Sequence, residues 1–588
     1  KKNKDLQFAP AMSNRAHRPR LEGLLERKAR RSILFFGLCV ALQLSSHAQF
    51  WQWSTHFGGG GHDQGYIGAV DQAGNVYSFG YYAGAGPWEY QDMYIGNDTL
   101  HGSGSFVAKH DAQGNYLWSV NCVAPSAGLG VAALVLDTVN NVLIIAGGHN
   151  RSGMIGTFQL PDSGAFLAWI STDGVCLNAQ NIGSPHTAIW TMLLHNDGDI
   201  YVGGTTGETQ SALVGGQTIQ PGSFLARLHT HGTFLWARNM IVGFSSQTVR
   251  YFPVQILSTG TDLVVYGSAT QLPNPGTFDM DTVHVALPHG GGAAMIGVDA
   301  GTGIAQWIRP VGFSDQFGFS SRFKHSVAVD TEGQVYCALT VWGDTARFLP
   351  DTAISIPEGH GLSFLVKYGS QGNLISLRTF GQDLGLSALD IEESHTLLMM
   401  ASFDDTSAVD VCSASDGLWL LRTDTLGNCL GSVLVALNTP PWLDDAIGLS
   451  IQSTPSGIYL SAASPYSPQY STINFAGESV TSIGWEDVLL AKCDLSLGVQ
   501  SLSLNGNDGL SIYANPNQGS FKIDVPDALV NSPNLELRIY DATGRLVLVQ
   551  PMGGDDHPQF NLFDIGSGFY AVTLSNGQRV YHGNMVVE

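Results

Sequence analysis

The sequence predicts an all-β chain, a seven-bladed β-propeller followed by a small C-terminal β-sandwich. Two hairpin patterns alternate along the chain, each about seven times, which is typical of a propeller built from four-stranded units. Short alternating segments after residue 505 favour the sandwich. The composition agrees, since 71 of the 588 residues are glycine and 13% are charged. Such a chain suits many short strands joined by turns rather than helices.

The first hairpin pattern is clearest at Phe106–Trp118. It has an aromatic start, a basic fourth residue, a glycine in ninth place and a closing Leu-Trp. Phe224–Trp236 matches at every one of these positions. Gly114 lies where the turn requires a positive φ. Weaker copies begin at Phe166, Met295, Phe364, Trp419 and Leu489.

The second pattern is an apolar run, a polar turn and another apolar run, as in Ala69–Tyr77. Its other copies are Leu136–Leu143, Leu194–Tyr201, Leu257–Val264, Val329–Tyr336, Ile391–Leu398 and Ile451–Ile458. Two hairpins give four strands per unit, so seven units predict seven blades. The stretches 82–101, 205–221 and 272–290 are rich in Gly, Pro and Thr, and we expect them to be loops.

Closure of the propeller can also be predicted. Trp51–Phe57 resembles the outer-strand segment that begins at Leu117. It therefore should complete the last blade, whose hairpin lies near 489–504, and leave no exposed strand edge. The predicted propeller domain covers residues 49–505, and the sandwich covers residues 506–588.

Residues 1–48 are expected to be an N-terminal extension and a Sec signal peptide. Lys28, Arg30 and Arg31 precede a ten-residue apolar run, 33–42, and a small-x-small site ends at Ala48. Cleavage is predicted between Ala48 and Gln49. The apolar run is too short for a stable membrane span, although a membrane anchor remains the alternative.

The charge excludes several partners. The chain has a net charge of −22 even though residues 1–48 are basic, so the remainder is strongly acidic. Nucleic acid and anionic membranes repel such a surface. Six cysteines follow the signal segment without any C-x-x-C pair, which argues against zinc. Cys412 and Cys429 could be bridged, but buried, unbridged cysteines are the favoured expectation.

The search for chemistry gives no catalytic residue, no metal ligand and no cofactor. Gly58–Asp63 looks like a phosphate cradle but lacks a following helix and a lysine, so a flexible turn is expected. The recurring turn residues Asp111, Asp173, Asp299, Asp330 and Asp424 are expected to cap their own backbone rather than to bind calcium. Asp299–Trp307 resembles the turn of quinoprotein propellers in a single copy only.

The hairpin copies at residues 50–505 resemble the repeats of secreted bacterial β-propellers of the SBBP kind. The C-terminal segment resembles the sorting domain of type IX secretion substrates from the Bacteroidota. That resemblance rests on an Asn-Pro turn followed by glycine, a Tyr-Asp strand end followed by glycine and a basic residue, and a Gly-x-Tyr strand. The matching residues are Asn515, Pro516, Gly519, Tyr540, Asp541, Gly544, Gly568 and Tyr570.

This resemblance implies export through the Sec translocon and the type IX machinery, with the tail usually removed and the cargo released or anchored at the outer-membrane surface. The last strand departs from the family by ending in an acidic residue, Glu588. The function expected is that of a non-catalytic binding or scaffold module for an unknown extracellular glycan or protein. Tyr81, Tyr82, Trp88 and Tyr90 could form its contact face, or could pack on the blade. A polysaccharide-acting hydrolase or lyase and a surface adhesin are the alternatives.

Overall fold

A computed structural model describes residues 51–587 except for several gaps. These are 84–90, 125–127, 208, 243–249, 272–275, 288–289, 315–325, 350–351, 359, 383, 393–395, 404–416, 439–446, 465–471, 494–509, 514–516, 527–528, 531–534, 542–545, 553–557, 563–565, 567 and 576–579. The chain divides into two units, Lys1–Phe50 and Trp51–Glu588; the first lies outside the described residues. The described residues are all-β and contain no helix.

The first half of the unit forms three sheets after the strand β1 (Trp51–Gly59). In sheet 1, β2 (His62–Val70) and β3 (Val76–Ala83) precede a short hairpin, β4 (Met93–Ile95) and β5 (Asp98–Leu100), and then β6 (Gly104–His110) and β7 (Tyr116–Val123). Sheet 2 repeats the order with β8 (Leu129–Asp137), β9 (Val142–His149), β10 (Gly153–Ile155), β11 (Phe158–Leu160), β12 (Gly164–Ser171) and β13 (Cys176–Asn181). Sheet 3 has β14 (Ala188–Leu194), β15 (Asp199–Thr205), β16 (Ala212–Val214), β17 (Gln217–Ile219), β18 (Gly222–His229) and β19 (Phe234–Val242).

Four further sheets follow the same plan. Sheet 4 has β20 (Arg250–Ser258), β21 (Asp262–Gln271), β22 (Gly276–Met280), β23 (Val283–Leu287), β24 (Gly290–Asp299) and β25 (Ala305–Ser314). Sheet 5 has β26 (Val327–Val329), β27 (Val335–Trp342), β28 (Thr345–Leu349), β29 (Thr352–Ser355), β30 (Gly361–Tyr368) and β31 (Leu374–Gln382). Sheet 6 has β32 (Leu384–Ile391), β33 (Leu397–Phe403), β34 (Gly417–Thr423) and β35 (Cys429–Asn438). Sheet 7 has β36 (Ile447–Thr454), β37 (Gly457–Ala463), β38 (Thr472–Phe475), β39 (Glu478–Thr481) and β40 (Val488–Cys493).

The fourth main strand of sheet 7 is β1, from the other end of the sequence. It pairs antiparallel with β40, and Trp53 lies opposite Lys492. In sheet 1, Trp118 of the fourth main strand lies opposite Lys109 of the third main strand in the same way. Trp51–Phe57 thus pairs with β40 and follows it in the strand order of this sheet.

The first strands of consecutive sheets contact one another in sequence, from β2 through β8, β14, β20, β26 and β32 to β36, and β36 contacts β2 again. The described strands up to β40 form sheets of four or six strands and two separate two-stranded sheets, and the first strands of the larger sheets contact one another in a cycle. Strand direction alternates within each sheet. The places where the first strands begin, represented by His62, Trp190 and Phe252, are here named the mouth.

The stretches expected to be loops contain a third hairpin, so that expectation was wrong. In the described part of the chain, none of these hairpins pairs within the sheet with which it is named above. Four pair with the preceding sheet, β4 with β1, β10 with β7, β28 with β25 and β38 with β35, whereas β16 with β17 and β22 with β23 form separate two-stranded sheets. Their turns need a left-handed residue, supplied by Gly96, Gly156 and Gly215 and, with positive φ in non-glycine residues, by Asp281 and Ala476. The hairpins that pair with a preceding sheet link neighbouring sheets and cover strand edges.

Hydrophobic cores lie between consecutive sheets. One, for example, joins Phe79 and Val107 of sheet 1 with Leu134 and Ile145 of sheet 2. Four of the six cysteines, Cys122, Cys176, Cys337 and Cys493, are buried and form no disulfide bond in the described part of the chain. Cys429 is disulfide-bonded, which corrects the favoured expectation of six unbridged cysteines; Cys412 lies outside the described residues.

The C-terminal segment forms two antiparallel sheets around one core. The first contains β41 (Ser511–Tyr513), β42 (Ser520–Asp524) and, later in the chain, β45 (Gln559–Asn561). The second contains β43 (Glu536–Asp541), β44 (Leu546–Pro551), β46 (Gly568–Ser575) and β47 (Val580–Val587) in the order β44, β43, β46, β47. Apolar residues from both sheets, such as Phe521 and Val572, share the core.

Candidate functional site

One contact recurs at four of the places where one sheet meets the next, although the indole nitrogen of Trp236, at the equivalent place in sheet 3, has no hydrogen-bond partner among the described residues. An indole N–H donates to a carbonyl in the outer turn of the following sheet. Trp118 donates to Thr172 O at 3.1 Å, and Trp307 donates to Ser370 O at 3.2 Å. Sheet 2 lacks a tryptophan at this place, and Trp169 of the adjacent strand makes the contact instead, with Thr230 O at 2.7 Å.

The same contact joins sheet 7 to sheet 1. Trp53 donates to Ala112 O at 2.9 Å, in the turn that contains Gly114. Gly114 has a φ of +82°, and a Cβ on it would stand 2.6 Å from the Trp53 ring. Only glycine satisfies both the backbone conformation and the ring above it. The ninth-place glycine of the repeat thus serves the contact between sheets as well as the turn.

The recurring turn aspartates act as backbone caps. Asp111 Oδ1 accepts from the amides of Gln113 and Asn115 at 2.9 and 2.8 Å, and Asp330 and Asp424 repeat this pattern. The hydroxyl and amide of Thr302 hold the pKa of Asp299 below its ordinary value. The exception is Asp173: Ser171 Oγ accepts the amides of that turn.

The junction between sheet 7 and sheet 1, here named the closing junction, brings together Asp63, Glu486 and Asp487. Asp63 and Asp487 are 1% and 0% exposed. Asp63 Oδ2 accepts from the amide of Gly59 at 2.5 Å, and Asp487 Oδ2 accepts from the amide of Ile483 at 2.7 Å. The remaining oxygen, Asp487 Oδ1, has no hydrogen-bond partner.

Burial controls the ionisation of both groups. Desolvation raises the pKa of Asp487 to about 6, against hydrogen bonds from the backbone of Ile483 and Gly484 that lower it. Desolvation also raises the pKa of Asp63 well above its ordinary value, and the nearby charge of Asp487 adds to the increase. Charged forms in such a site lose their hydration without gaining a cation.

Glu486 is more accessible to solvent than Asp63 and Asp487, and it has hydrogen-bond partners of its own. His62 Nδ1 lies 3.1 Å from Glu486 Oε2, and Gln64 Nε2 lies 3.4 Å from it. The stretch Gly58–Asp63, expected to be a flexible turn, does connect β1 with β2. It is closely packed, however, because Cβ atoms on Gly58 and Gly59 would collide with Asp487 and with the carbonyl of Asp92.

The exposed side chains near the mouth are aromatic or amide-bearing. Trp190 is 40% exposed and Phe252 is 39% exposed, each in the third position of its first strand, and Trp190 Nε1 donates to Thr205 Oγ1 at 2.8 Å. Tyr81 is 40% exposed, as a contact residue requires. Tyr82 is buried and its hydroxyl donates to Asn121 Oδ1 at 2.7 Å, so of its two alternatives the structure favours packing within the sheets.

Trp88 and Tyr90 lie outside the described residues. No group of three or more His, Cys, Asp or Glu side chains in the described part of the chain could hold a metal ion. Trp307, in the turn that resembles quinoprotein propellers, packs on the Gly372 turn of the next sheet. His229 and His231 stack at 5.3 Å in a turn, and His229 Nδ1 lies 2.7 Å from Asp199 Oδ1.

Asp487 is the junction residue that pattern reading missed. At the corresponding place in other copies stands a glycine two residues before the aromatic, as in Gly104-Ser105-Phe106 and Gly222-Ser223-Phe224. The last copy reads Asp487-Val488-Leu489 instead. That substitution was visible in the sequence. Its partner, Asp63, was not, because the two residues are more than 400 positions apart.

The sorting-motif residues that the structure describes gather around one end of the C-terminal sheets. Asp541 lies opposite Tyr570, and Gly568 lies opposite Val587, in adjacent strand pairs. Gly519 has a φ of +87°, and its amide donates to Asn517 Oδ1 at 2.7 Å. The Tyr570 hydroxyl donates to Gly566 O at 2.7 Å. Tyr540 precedes Asp541 on β43, whereas Asn515, Pro516, Gly544, Ala48 and Gln49 lie outside the described residues.

Comparisons with known structures give weak likenesses. A protein of unknown function from Bacteroides caccae shares 11% identity over 56% of this chain and 89% of its own, with a TM-score of 0.26. The extracellular domain of a putative hybrid two-component system from B. thetaiotaomicron shares 10% identity over 89% and 68%, with a TM-score of 0.24. Drosophila semaphorin 2a shares 9% over 89% and 85%, again with a TM-score of 0.24. At these scores the likenesses carry no argument about this chain, and no curated protein matches it.

The C-terminal segment does match a family. Residues 511–588 match the secretion system C-terminal sorting domain, in agreement with the motif read from the sequence. No helix in the described ranges has the length and apolar character needed to cross a membrane. The chain therefore carries a type IX sorting domain of the kind found in secreted Bacteroidota proteins, which indicates export by the type IX secretion system to the cell surface or the extracellular space.

Proposed function

We propose that residues 49–505 form a seven-bladed β-propeller with SBBP-like repeats and act as a non-catalytic binding or scaffold module outside the cell. Residues 506–588 form a β-sandwich that directs export. The observation that supports this proposal is the cycle of contacts among the first strands of successive sheets, with β1 paired to β40, ahead of a sorting domain. A rigid cycle holds variable connections in fixed positions, which suits recognition.

The mouth supports binding rather than catalysis. An acid-base pair needs carboxyl groups that reach a substrate, but Asp63 and Asp487 are buried and directed at backbone amides. Trp190 and Phe252 instead expose aromatic surface, which binds the apolar faces of sugars or of protein side chains. The ligand class is thus an extracellular glycan or protein.

A binding screen of the mature chain against glycans and surface proteins tests this role. We expect Trp190→Ala and Phe252→Ala to weaken any interaction at the mouth at least tenfold. Tyr94→Ala is the matched control, since Tyr94 is 51% exposed and lies on β4, which pairs with β1 and is not a first strand. Equal losses in all three variants would contradict binding at the mouth.

Separate experiments distinguish the two alternative functions, a polysaccharide-acting enzyme and a surface adhesin. Depolymerisation of a polysaccharide by the purified chain would favour a hydrolase or lyase, which the pair of Glu486 and His62 makes worth testing. Retention of the mature protein on cells, together with adhesion lost on its deletion, would favour an adhesin. Removal of residues 511–588 should leave the protein in the periplasm in all cases, because the export signal is independent of the activity.

A further inference from the structure

The closing junction contains two buried carboxyl groups, Asp63 and Asp487. Asp63 lies on β2, Asp487 immediately precedes β40, and both crowd Gly58 near the end of β1. The three segments are far apart in sequence and are joined here without a covalent link. Any charge on this pair therefore acts directly on the contact that holds the N-terminal strand in place.

The hydrogen bonds at the junction are incomplete for two charged groups. Asp487 N donates to Ser464 Oγ at 2.7 Å, and Asp487 Oδ2 accepts from Ile483, but Asp487 Oδ1 is buried without a donor. Asp63 Oδ2 lies next to the same position on Gly58. A buried carboxylate oxygen without a donor is costly. A proton on the pair would remove one charge and supply a donor.

The surrounding groups do not neutralise the pair. Neither Asp63 nor Asp487 forms an ion pair with Lys or Arg among the described residues. Glu486 adds a further negative charge near Asp63 and is engaged by His62. The Asp92 carboxylate is bonded to His101 and to the amide of Gly102. Tyr82, also near Asp63, is neutral at ordinary pH because burial raises its pKa.

We propose that a proton held between Asp63 and Asp487 keeps β1 closed, so that the N-terminal strand detaches more readily as the pH rises. The direction follows from linkage: a carboxyl group with a raised pKa when closed binds its proton better closed than open. For Asp487 the stabilisation is complete below its ordinary pKa of 3.8 and is lost as the pH rises through about 6.

Two histidines at the same contact oppose this effect. Burial lowers the pKa of His110, which stacks on Phe57 of β1, to about 4, and burial also lowers the pKa of His56. Both favour opening in acid, since the open state lets them bind protons. The pH response of the native chain alone is therefore a sum of opposing terms, and the carboxyl contribution must be isolated by substitution.

Hydrogen exchange of the β1 amides, corrected for the intrinsic pH dependence of exchange, measures opening in the full-length mature chain. Asp487→Asn keeps the shape of the side chain but cannot ionise. We expect the ratio of β1 opening in the native chain to that in Asp487→Asn to rise roughly tenfold to a hundredfold from pH 4 to pH 7, because each pKa unit is a factor of ten. His56 and His110 cancel in this ratio.

Asp390→Asn is the matched control, because burial also raises the pKa of Asp390 to about 6 but Asp390 lies on β32, with a hydrogen bond from the amide of Ser453. It should leave the pH response of β1 unchanged. Asp63→Asn should change the pH dependence of β1 opening in the same way as Asp487→Asn, and it replaces that variant in the experiment if Asp487→Asn does not fold. A ratio that stays flat with pH, or an equal change in Asp390→Asn, would overturn the proposal.

Discussion

The closing junction shares an indole hydrogen bond with the contact between sheet 1 and sheet 2. The two contacts differ in the residues around that hydrogen bond. Trp118 donates to Thr172 O, and Trp53 donates to Ala112 O, each above a glycine with positive φ. The first contact joins neighbours in sequence, whereas the second joins the two ends of the cycle. The repeat therefore supplies the same contact at several places where two sheets meet, and the closing junction adds buried carboxyl groups beside it.

Removal of the indole should distinguish the two junctions most strongly. Trp53→Ala loses the packing and the hydrogen bond that hold β1, and we expect a loss of about 2–4 kcal/mol in the free energy of unfolding. Trp118→Ala should cost a similar amount without exposing β1. Urea unfolding with amide exchange on β1 checks both; protection of β1 that survives in Trp53→Ala would contradict the role of this contact.

The glycine beneath the ring offers a sharper comparison. Gly114→Ala places a Cβ against Trp53 at a φ of +82° and should cost about 2–3 kcal/mol from backbone strain and collision. Gly198→Ala is the control, since Gly198 has a φ of +83° with no atom near its Cβ position. It should cost about 1 kcal/mol. Equal thermal shifts in the two variants would show that only the turn needs glycine.

The turn cap should have a smaller effect. Asp111→Ala leaves the amides of Gln113 and Asn115 without their acceptor, so we expect a loss of about 1–2 kcal/mol. Asp173→Ala should stay within about 0.5 kcal/mol, because Ser171 is the acceptor in that turn. The denaturation midpoints of the two variants, measured side by side, test this difference. A larger loss of stability in Asp173→Ala than in Asp111→Ala would contradict the role of Asp111 as the turn cap.

The smallest expected change concerns the buried tyrosine near the mouth. Tyr82→Phe removes the hydroxyl that donates to Asn121 Oδ1 and should cost about 1 kcal/mol. Ligand binding should be unaffected, because Tyr82 is 1% exposed. Tyr81→Phe serves as the exposed comparison. A loss of ligand binding in Tyr82→Phe but not in Tyr81→Phe would contradict this prediction and indicate that Tyr82 contacts the ligand.

Sequence reasoning reached the contacts that repeat and missed those that occur once or involve few residues. The glycine, the aromatic start and the closing Trp recur, so Gly114 and the role of Trp51–Phe57 could be predicted. The hairpins such as β4 and β5 escaped because three-residue strands leave almost no alternation to read. The pairing of Asp63 with Asp487 escaped because nothing local marks two carboxyl groups that meet only when the cycle closes.

Native amide exchange at a single pH provides the most direct test of closure by β1. Trp51–Phe57 of β1 and the corresponding segment of β7 occupy equivalent places in sheets 7 and 1. We predict that the two segments are protected to a similar degree, since both are held by a strand ladder and an indole contact. Rapid exchange throughout β1 while β7 stays protected would contradict the closure of the cycle.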